Sequence, residues 1–128
     1  MSDESLYETI GGEQGVRALV DSFYDYMDNL PEARPIREMH AADLTSAREK
    51  FSLFLCGWMG GPPLYVQKHG HPRLRMRHLP FPIDESARDQ WMLCMRRALD
   101  ETVEDPAIRE YLNAAFYRVA DFMRNREG

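Results

Sequence analysis

The stretch GHPRLRMRHLPFPI, residues 70–83, places two histidines and three alternating arginines among several prolines. Proline restricts the backbone, so this stretch is predicted to hold only a short helix, over residues 72–79. Pro80 ends that helix because the residue before a proline is disfavoured in the helical region. Leu74 and His78 lie four residues apart and share a face, which directs the imidazole inward.

Four longer helices flank this stretch, because apolar residues recur there at the spacing of an amphipathic helix. The predicted helices cover residues 16–30, 43–58, 84–99 and 105–123. The predicted N-terminal caps are Asp43 or Ser46 for the second, Asp84 for the third and Asp105, followed by Pro106, for the fourth. No strand pattern accompanies them. The sequence therefore predicts an all-α domain whose apolar faces cover one another.

Composition restricts the class of protein. The chain of 128 residues is predicted to form one domain, residues 1–128, with 44% hydrophobic residues and a net charge of −5. This charge argues against a nucleic-acid partner and against binding to anionic membranes. No apolar run is long enough for a membrane span, and no targeting segment is recognised, so a cytoplasmic location is expected. Cys56 and Cys94 fall in apolar patterns typical of buried free thiols in a reducing compartment.

The residues alone allow three interpretations of an inward His78. It is a core imidazole bonded to a backbone carbonyl, a zinc ligand together with His69 and His71, or an axial ligand of haem iron. Zinc is disfavoured because no cysteine or carboxylate lies at compact ligand spacing. Haem needs an imidazole on a short rigid element, an apolar slot, cations for the propionates and polar groups facing a bound gas.

Each of those parts can be found in the sequence. The candidate apolar slot consists of Phe51, Phe54, Phe81, Trp91, Phe116 and Val119, and the candidate cations are Lys50, Arg73, Arg75 and Arg77. The fourth helix is predicted to bury Ile108, Tyr111, Leu112, Ala115, Phe116, Val119, Phe122 and Met123 on one side. Tyr24 and Trp91 add hydrogen-bond donors to apolar helical faces. The same residues also suit an ordinary aromatic core and a solvated basic face.

Taken together, the motifs resemble those of the truncated haemoglobins, specifically group II. The segments that carry the resemblance are YETIGG (7–12), FYDYM (23–27), GWMGGPPLY (57–65), GHPRLRMRHLPFPI (70–83) and RDQWMLCM (88–95). The resemblance spans nearly the whole chain. It implies a two-over-two helical sandwich around haem b, a shortened globin fold.

The resemblance also implies roles for individual residues. His78 matches the proximal ligand of the iron, and Arg77 matches a partner of a haem propionate, as Lys50 does in some relatives. Phe54 matches a wall of the haem pocket, and Phe51 lies one turn earlier on the same helix.

On the opposite side of the haem, Tyr24 and Trp91 match the tyrosine and the tryptophan that face a bound ligand. His40 takes a corner position that varies within the group, unless Met39 replaces it. Ala47 stands where ordinary globins have a distal histidine.

These assignments predict a pentacoordinate iron that binds oxygen and other small diatomic ligands. Hydrogen bonds from Tyr24 and Trp91 favour slow release, which suits scavenging, sensing or redox chemistry better than bulk transport. Peroxidase-like and nitric-oxide-dioxygenase-like activities are both compatible with the family, and no catalytic residue is assigned. The protein would need a reductase and would be a monomer or a homodimer. The alternatives are a haem-based sensor that signals to a partner and a non-haem helical interaction module.

Overall fold

A computed structural model describes residues 5–127, and within this range the secondary structure is entirely helical. The α-helices are α1 (Leu6–Thr9), α2 (Gly12–Asn29), α3 (Arg34–Glu38), α4 (Thr45–Trp58), α5 (Leu64–His69), α6 (Leu74–His78), α7 (Glu85–Thr102) and α8 (Pro106–Phe122). A short 3₁₀ turn, Pro31–Ala33, follows α2. The four long helices of the sequence prediction correspond to α2, α4, α7 and α8.

The caps of the last two long helices are confirmed. Asp84 accepts a hydrogen bond from the backbone N–H of Ala87 at 2.8 Å, and Asp105 accepts one from Ala107 at 2.9 Å. Each carboxylate satisfies a donor that the first helical turn leaves without a partner. Pro106 occupies the first turn of α8, as predicted.

Two predicted helix starts are wrong. Ser46 does not cap α4, which follows Leu44 without a side-chain cap; Asp43 instead accepts from the N–H of Thr45 at 2.9 Å. The helix α6 begins at Leu74 rather than at residue 72, because Arg73 adopts a left-handed backbone conformation with φ 48°. A left-handed residue cannot belong to a right-handed helix, so α6 has only five residues.

The four long helices form two layers. α2 packs on α4 and on α7, and α7 packs on α8. Their shared core includes the fully buried side chains Phe23, Leu19, Met95, Leu99 and Leu112. α6 has no comparable packing on another helix. The layers therefore supply the rigid body of the described chain, and the helix that carries His78 lies at its edge.

Part of the predicted buried side of α8 is wrong. Tyr111 and Phe122 are 55% and 62% exposed, while Leu112 and Phe116 are buried as expected. The helical period places Tyr111 and Phe122 at the border of the apolar stripe, and no other helix covers that border. No helix among residues 5–127 combines the length and the apolar character needed to cross a membrane.

A contact between α1 and the end of α4 explains one of the glycine-rich motifs. The backbone N–H of Tyr7 donates to the carbonyl of Met59 at 2.9 Å. A Cβ atom at Gly61 would lie 2.5 Å from the Tyr7 ring, so only glycine leaves room for it. This contact closes the N-terminal end of the fold against α4.

Candidate functional site

His78 is half-buried at the last turn of α6, and its Nδ1 lies 2.6 Å from the carbonyl oxygen of Leu74. A carbonyl oxygen only accepts, so Nδ1 must carry the hydrogen of this bond. In the neutral ring Nε2 then keeps its lone pair. This is the tautomer that an imidazole needs to ligate a metal through Nε2, and the hydrogen bond fixes the orientation of the ring.

The C-terminal residues hold α6 in place, a feature that the sequence analysis missed. The Asn125 side chain donates to the carbonyls of His78 (3.1 Å) and Phe81 (2.9 Å) and accepts from the N–H of Ile83 (2.9 Å). Arg75 donates to the carbonyls of Phe122 and Arg124. We call these contacts of Asn125 and Arg75 the C-terminal clamp. In the sequence, the only sign of the C-terminal clamp is that Asn125 follows the last long helix.

Three other predicted pocket residues, Arg77, Lys50 and Phe81, are exposed to solvent. The Arg77 guanidinium is exposed and sits 6.0 Å from the ring centre of Tyr65 on α5. Lys50 is exposed on α4, and Phe81 is 39% exposed in the turn after α6. Arg77 and Lys50 are therefore accessible to an anionic group.

The opposite wall is an aromatic cluster centred on Phe23. The ring centre of Phe23 lies 4.9 Å from that of Tyr24, 5.0 Å from that of Trp91 and 5.5 Å from that of Phe51. Phe51 and Trp91 are themselves 6.2 Å apart. The fold thus brings together Tyr24 of α2, Phe51 of α4 and Trp91 of α7, which the sequence predicted at one site. Phe54 lies apart from this cluster, 6.3 Å from Tyr65.

Tyr24 and Trp91 have hydrogen-bond donors without a partner in the structure. Among residues 5–127, no group hydrogen-bonds to the Tyr24 hydroxyl or to the Trp91 indole N–H. Tyr24 is only 6% exposed, and this burial raises the pKa of its hydroxyl to about 12, although the nearby charge of Arg48 lowers it. The phenol therefore keeps its proton at neutral pH. Neither donor atom is sealed from solvent, since Asn113 Oδ1 is the only buried side-chain polar atom without a partner among the described residues. Both donors are therefore accessible to a ligand.

His40 lies beside Tyr24, with 5.9 Å between the ring centres. Its Nδ1 donates to the carbonyl of Ile36 at 2.9 Å. Burial lowers the pKa of His40, and the charges of Arg37 and His78 lower it further. His40 is thus neutral near pH 7, with the Nε2 lone pair available.

Arg48 is a second residue that the sequence analysis missed. It donates to the carboxylates of Asp21 at 3.1 Å and Asp25 at 2.8 Å, and its guanidinium lies 5.8 Å from the Tyr24 ring centre. These bonds fix α4 to α2 directly beside Ala47. An arginine at an exposed helix position gives no sequence signal for such a bridge.

A cavity of about 850 Å³ opens between the end of α4, α6 and α8. Its apolar lining includes Trp58, Leu74, Ala115, Val119 and Met123. Its lining does not include His78, Tyr24, Phe51 or Trp91, so the cavity adjoins α6 without marking the predicted haem site. Phe51, Phe54, Trp58 and Trp91 are packed against the core yet only partly buried, so flat apolar surface remains accessible on α4 and α7.

These observations fit haem. The described residues offer an imidazole with a free Nε2, partly exposed aromatic surface, hydrogen-bond donors of Tyr24 and Trp91 without a protein partner, and exposed cations. No group of three or more histidine, cysteine or acidic side chains that could bind a bare metal ion occurs among residues 5–127. Two helical layers with such a cleft define a globin-like haem protein of the shortened, two-over-two type.

Comparison with known proteins identifies the family. The model of the bacterial-like globin family matches residues 5–125, and the chain belongs to that family. The group 2 truncated hemoglobin YjbI of Bacillus subtilis (strain 168) is 42% identical over 120 residues, which cover 94% of this chain and 88% of that protein.

Solved structures give the same result. The cold-adapted truncated hemoglobin of Pseudoalteromonas haloplanktis TAC125 is 47% identical with a TM-score of 0.94, covering 96% of this chain and 99% of that one. The group II 2-on-2 hemoglobin of Agrobacterium tumefaciens is 49% identical with a TM-score of 0.94, covering 100% and 98%. These matches confirm the predicted resemblance, the all-α two-over-two fold and haem as the cofactor.

Proposed function

We propose that the protein binds oxygen and other small diatomic ligands at haem b, with His78 as the proximal ligand of a pentacoordinate iron. The observation that carries the proposal is the bond from His78 Nδ1 to Leu74, because it leaves Nε2 unprotonated and fixes the orientation of the ring. Haem supplies the iron site at which a diatomic ligand gains electron density. The chain supplies the orientation and the hydrogen bonds.

Tyr24 and Trp91 are proposed to donate hydrogen bonds to the ligand from the side opposite His78. The pKa of about 12 keeps the Tyr24 hydroxyl protonated over the whole physiological range. Arg48 holds α4 against α2 and so keeps Tyr24 in place. Neutral His40 presents its Nε2 near Tyr24 as a further polar contact.

The edges and walls of the haem pocket are assigned from the same geometry. Arg77 and Lys50 are proposed to pair with the propionates, since both are exposed and neither has a carboxylate partner among residues 5–127. Phe51, Phe54 and Phe81 are proposed to contact the porphyrin. Ala47, which is small, leaves the space beside Arg48 open.

Strong hydrogen bonding to the ligand favours slow release. We therefore propose scavenging, sensing or redox chemistry, with peroxidase-like and nitric-oxide-dioxygenase-like reactions as the classes to assay, rather than bulk oxygen transport. The two free, buried cysteines, Cys56 and Cys94, support a cytoplasmic location.

Absorption spectra of the purified protein test this proposal. We expect ferric, ferrous and carbon-monoxide spectra of a haem protein, with a ferrous form coordinated by one imidazole. A protein that stays colourless after expression with a haem precursor would contradict the proposal and favour a non-haem interaction module.

A further inference from the structure

The segment from residue 50 to residue 83 differs in charge from the rest of the chain. It contains five of the 16 basic side chains, Lys50, Lys68, Arg73, Arg75 and Arg77, and none of the 21 acidic ones. The rest of the chain therefore carries 11 basic and all 21 acidic side chains. The region around α5 and α6 is therefore basic, although the net charge of the whole chain is −5.

Five of the eleven arginines outside residues 73–77 have a carboxylate partner. Arg37, Arg48, Arg88, Arg109 and Arg124 each lie within 4.0 Å of a carboxylate. Among residues 5–127, no carboxylate comes this close to Arg73, Arg75 or Arg77. Lys68 is paired with Glu49 at 2.8 Å. The positive charge of α6 is therefore left without an internal counterion.

Exposed apolar side chains lie among these cations. Val66, Met76 and Leu79 are 52%, 56% and 50% exposed. On α6, the helical period places Met76 on the side away from His78, next to Arg77, and Arg73 directly precedes the helix. Apolar residues within a charged surround mark interaction surfaces, where methionine and arginine are enriched. We call Val66, Lys68, Arg73, Met76 and Leu79 the basic face; Arg77 is left to the propionate proposed above.

We propose that the basic face docks an acidic one-electron carrier protein that reduces the haem iron. The proposal rests on the function proposed above, since it needs His78 to bind that iron. The face is complementary in charge to such a carrier and repels proteins that are basic. Met76 and His78 belong to the same five-residue helix, so a partner docked at the basic face comes close to the haem.

The electron transfer is balanced without any other reactant. With a reduced flavin carrier, the anionic flavin hydroquinone gives up one electron and becomes the neutral semiquinone. The iron changes from ferric to ferrous. No proton moves and no covalent bond forms or breaks.

The test uses the ferric holoprotein and an acidic flavodoxin as the probe. One measurement is the Kd of oxidised flavodoxin at low and high salt, by titration calorimetry. The other is the rate at which reduced flavodoxin forms the ferrous carbon-monoxide complex. The test variant is Lys68→Glu/Arg73→Glu, and the matched control, Arg96→Glu/Arg97→Glu, changes the net charge equally at exposed positions of α7.

We expect the test variant to weaken binding and slow reduction by roughly tenfold or more, and the control to change both by less than about twofold. Added salt should reduce the difference between them. Equal losses in the two variants, or no binding of flavodoxin, would overturn the proposal. Tighter binding to phosphatidylserine vesicles or to duplex DNA than to flavodoxin would overturn it as well.

Reduction by dithionite separates this proposal from the one on which it rests. This small reductant needs no docking surface, so both variants should form the carbon-monoxide complex with it as fast as the parent does. A parent that forms no such complex with dithionite would contradict the haem function itself. Normal reduction by dithionite with equal flavodoxin binding by test variant and parent would contradict only the docking surface.

Discussion

The two sides of the cleft are built in different ways. The proposed distal side consists of Tyr24, His40, Phe51 and Trp91. It is supported by helices that pack along their lengths around the fully buried Phe23. The proximal side is α6, five residues long, which is held by the hydrogen bonds of the C-terminal clamp. Helix packing thus fixes the groups that are proposed to contact a ligand, whereas a few polar bonds fix the proposed ligand of the iron.

Because of this difference, substitutions on one side should affect mainly stability, and substitutions on the other should affect mainly cofactor retention. Changes on the distal side should alter the folding of the protein or the hydrogen bonds to the ligand. Changes at the clamp should alter how firmly His78 is held, with little effect on the rest of the fold, because α6 shares little surface with the helical layers.

The largest expected effect is that of Phe23→Ala. Phe23 contacts three aromatic rings at once, so its removal leaves a cavity in the centre of the distal side. We expect a loss of about 3–5 kcal/mol in the free energy of unfolding, measured by urea denaturation. The control, Tyr111→Ala, removes an exposed ring and should cost less than about 1 kcal/mol. Similar losses would show that the distal side is not the stable part.

Trp91→Phe keeps a ring in the aromatic cluster and removes the indole N–H. A hydrogen bond to a charged acceptor contributes about 1.5–3 kcal/mol, so oxygen should dissociate roughly ten- to hundredfold faster. Stopped-flow measurement of the off-rate tests this. An unchanged off-rate would remove Trp91 from the distal hydrogen bonds.

The pKa of Tyr24 predicts a pH dependence of stability. Folding raises this pKa from 10.0 to about 12, so the contribution is fully present below pH 10 and is lost as pH rises toward 12. Comparing the parent with Tyr24→Phe by urea denaturation at pH 8 to 11.5 should reveal a decline of about 1–2 kcal/mol that the variant lacks. Parallel curves would contradict the burial of a protonated phenol.

Asn125→Asp has the smallest expected effect. The substitution preserves the shape and the acceptor of the side chain but removes its two donated bonds to α6. We expect the free energy that holds His78 in place to fall by about 1 kcal/mol. Haem transfer to apomyoglobin should then be roughly fivefold faster. Its control is Asn29→Asp, whose amide donates to Asp25 on α2, away from the cleft. Equal rates for both variants would mean that the clamp does not support His78.

The sequence predicted the helices well because their apolar periods are long. The stripes of α2, α4, α7 and α8 and the caps Asp84 and Asp105 depend on residues close in sequence. The start of α6 was missed because the left-handed conformation of Arg73 is not encoded by its residue type. The exposure of Tyr111 and Phe122 was missed because it depends on which helices cover α8.

In the candidate site, too, features that depend on nearby residues were predicted and features that depend on distant residues were missed. His78, Tyr24 and Trp91 were singled out from local spacing together with a resemblance in motifs, and the fold places Tyr24 and Trp91 around Phe23. Asn125 and Arg48 were missed because their partners lie 23 to 47 residues away in sequence. Such polar bonds form only after the chain has folded, so residue patterns do not reveal them.

The central claim is that His78 binds the haem iron through Nε2, and His78→Gly tests it most directly. Glycine removes the imidazole and leaves a space that free imidazole can enter. We predict that the variant loses haem readily to apomyoglobin and that added imidazole restores the ferrous and carbon-monoxide spectra of the parent. A variant that retains haem with the parent's spectrum and affinity in the absence of imidazole would contradict the claim.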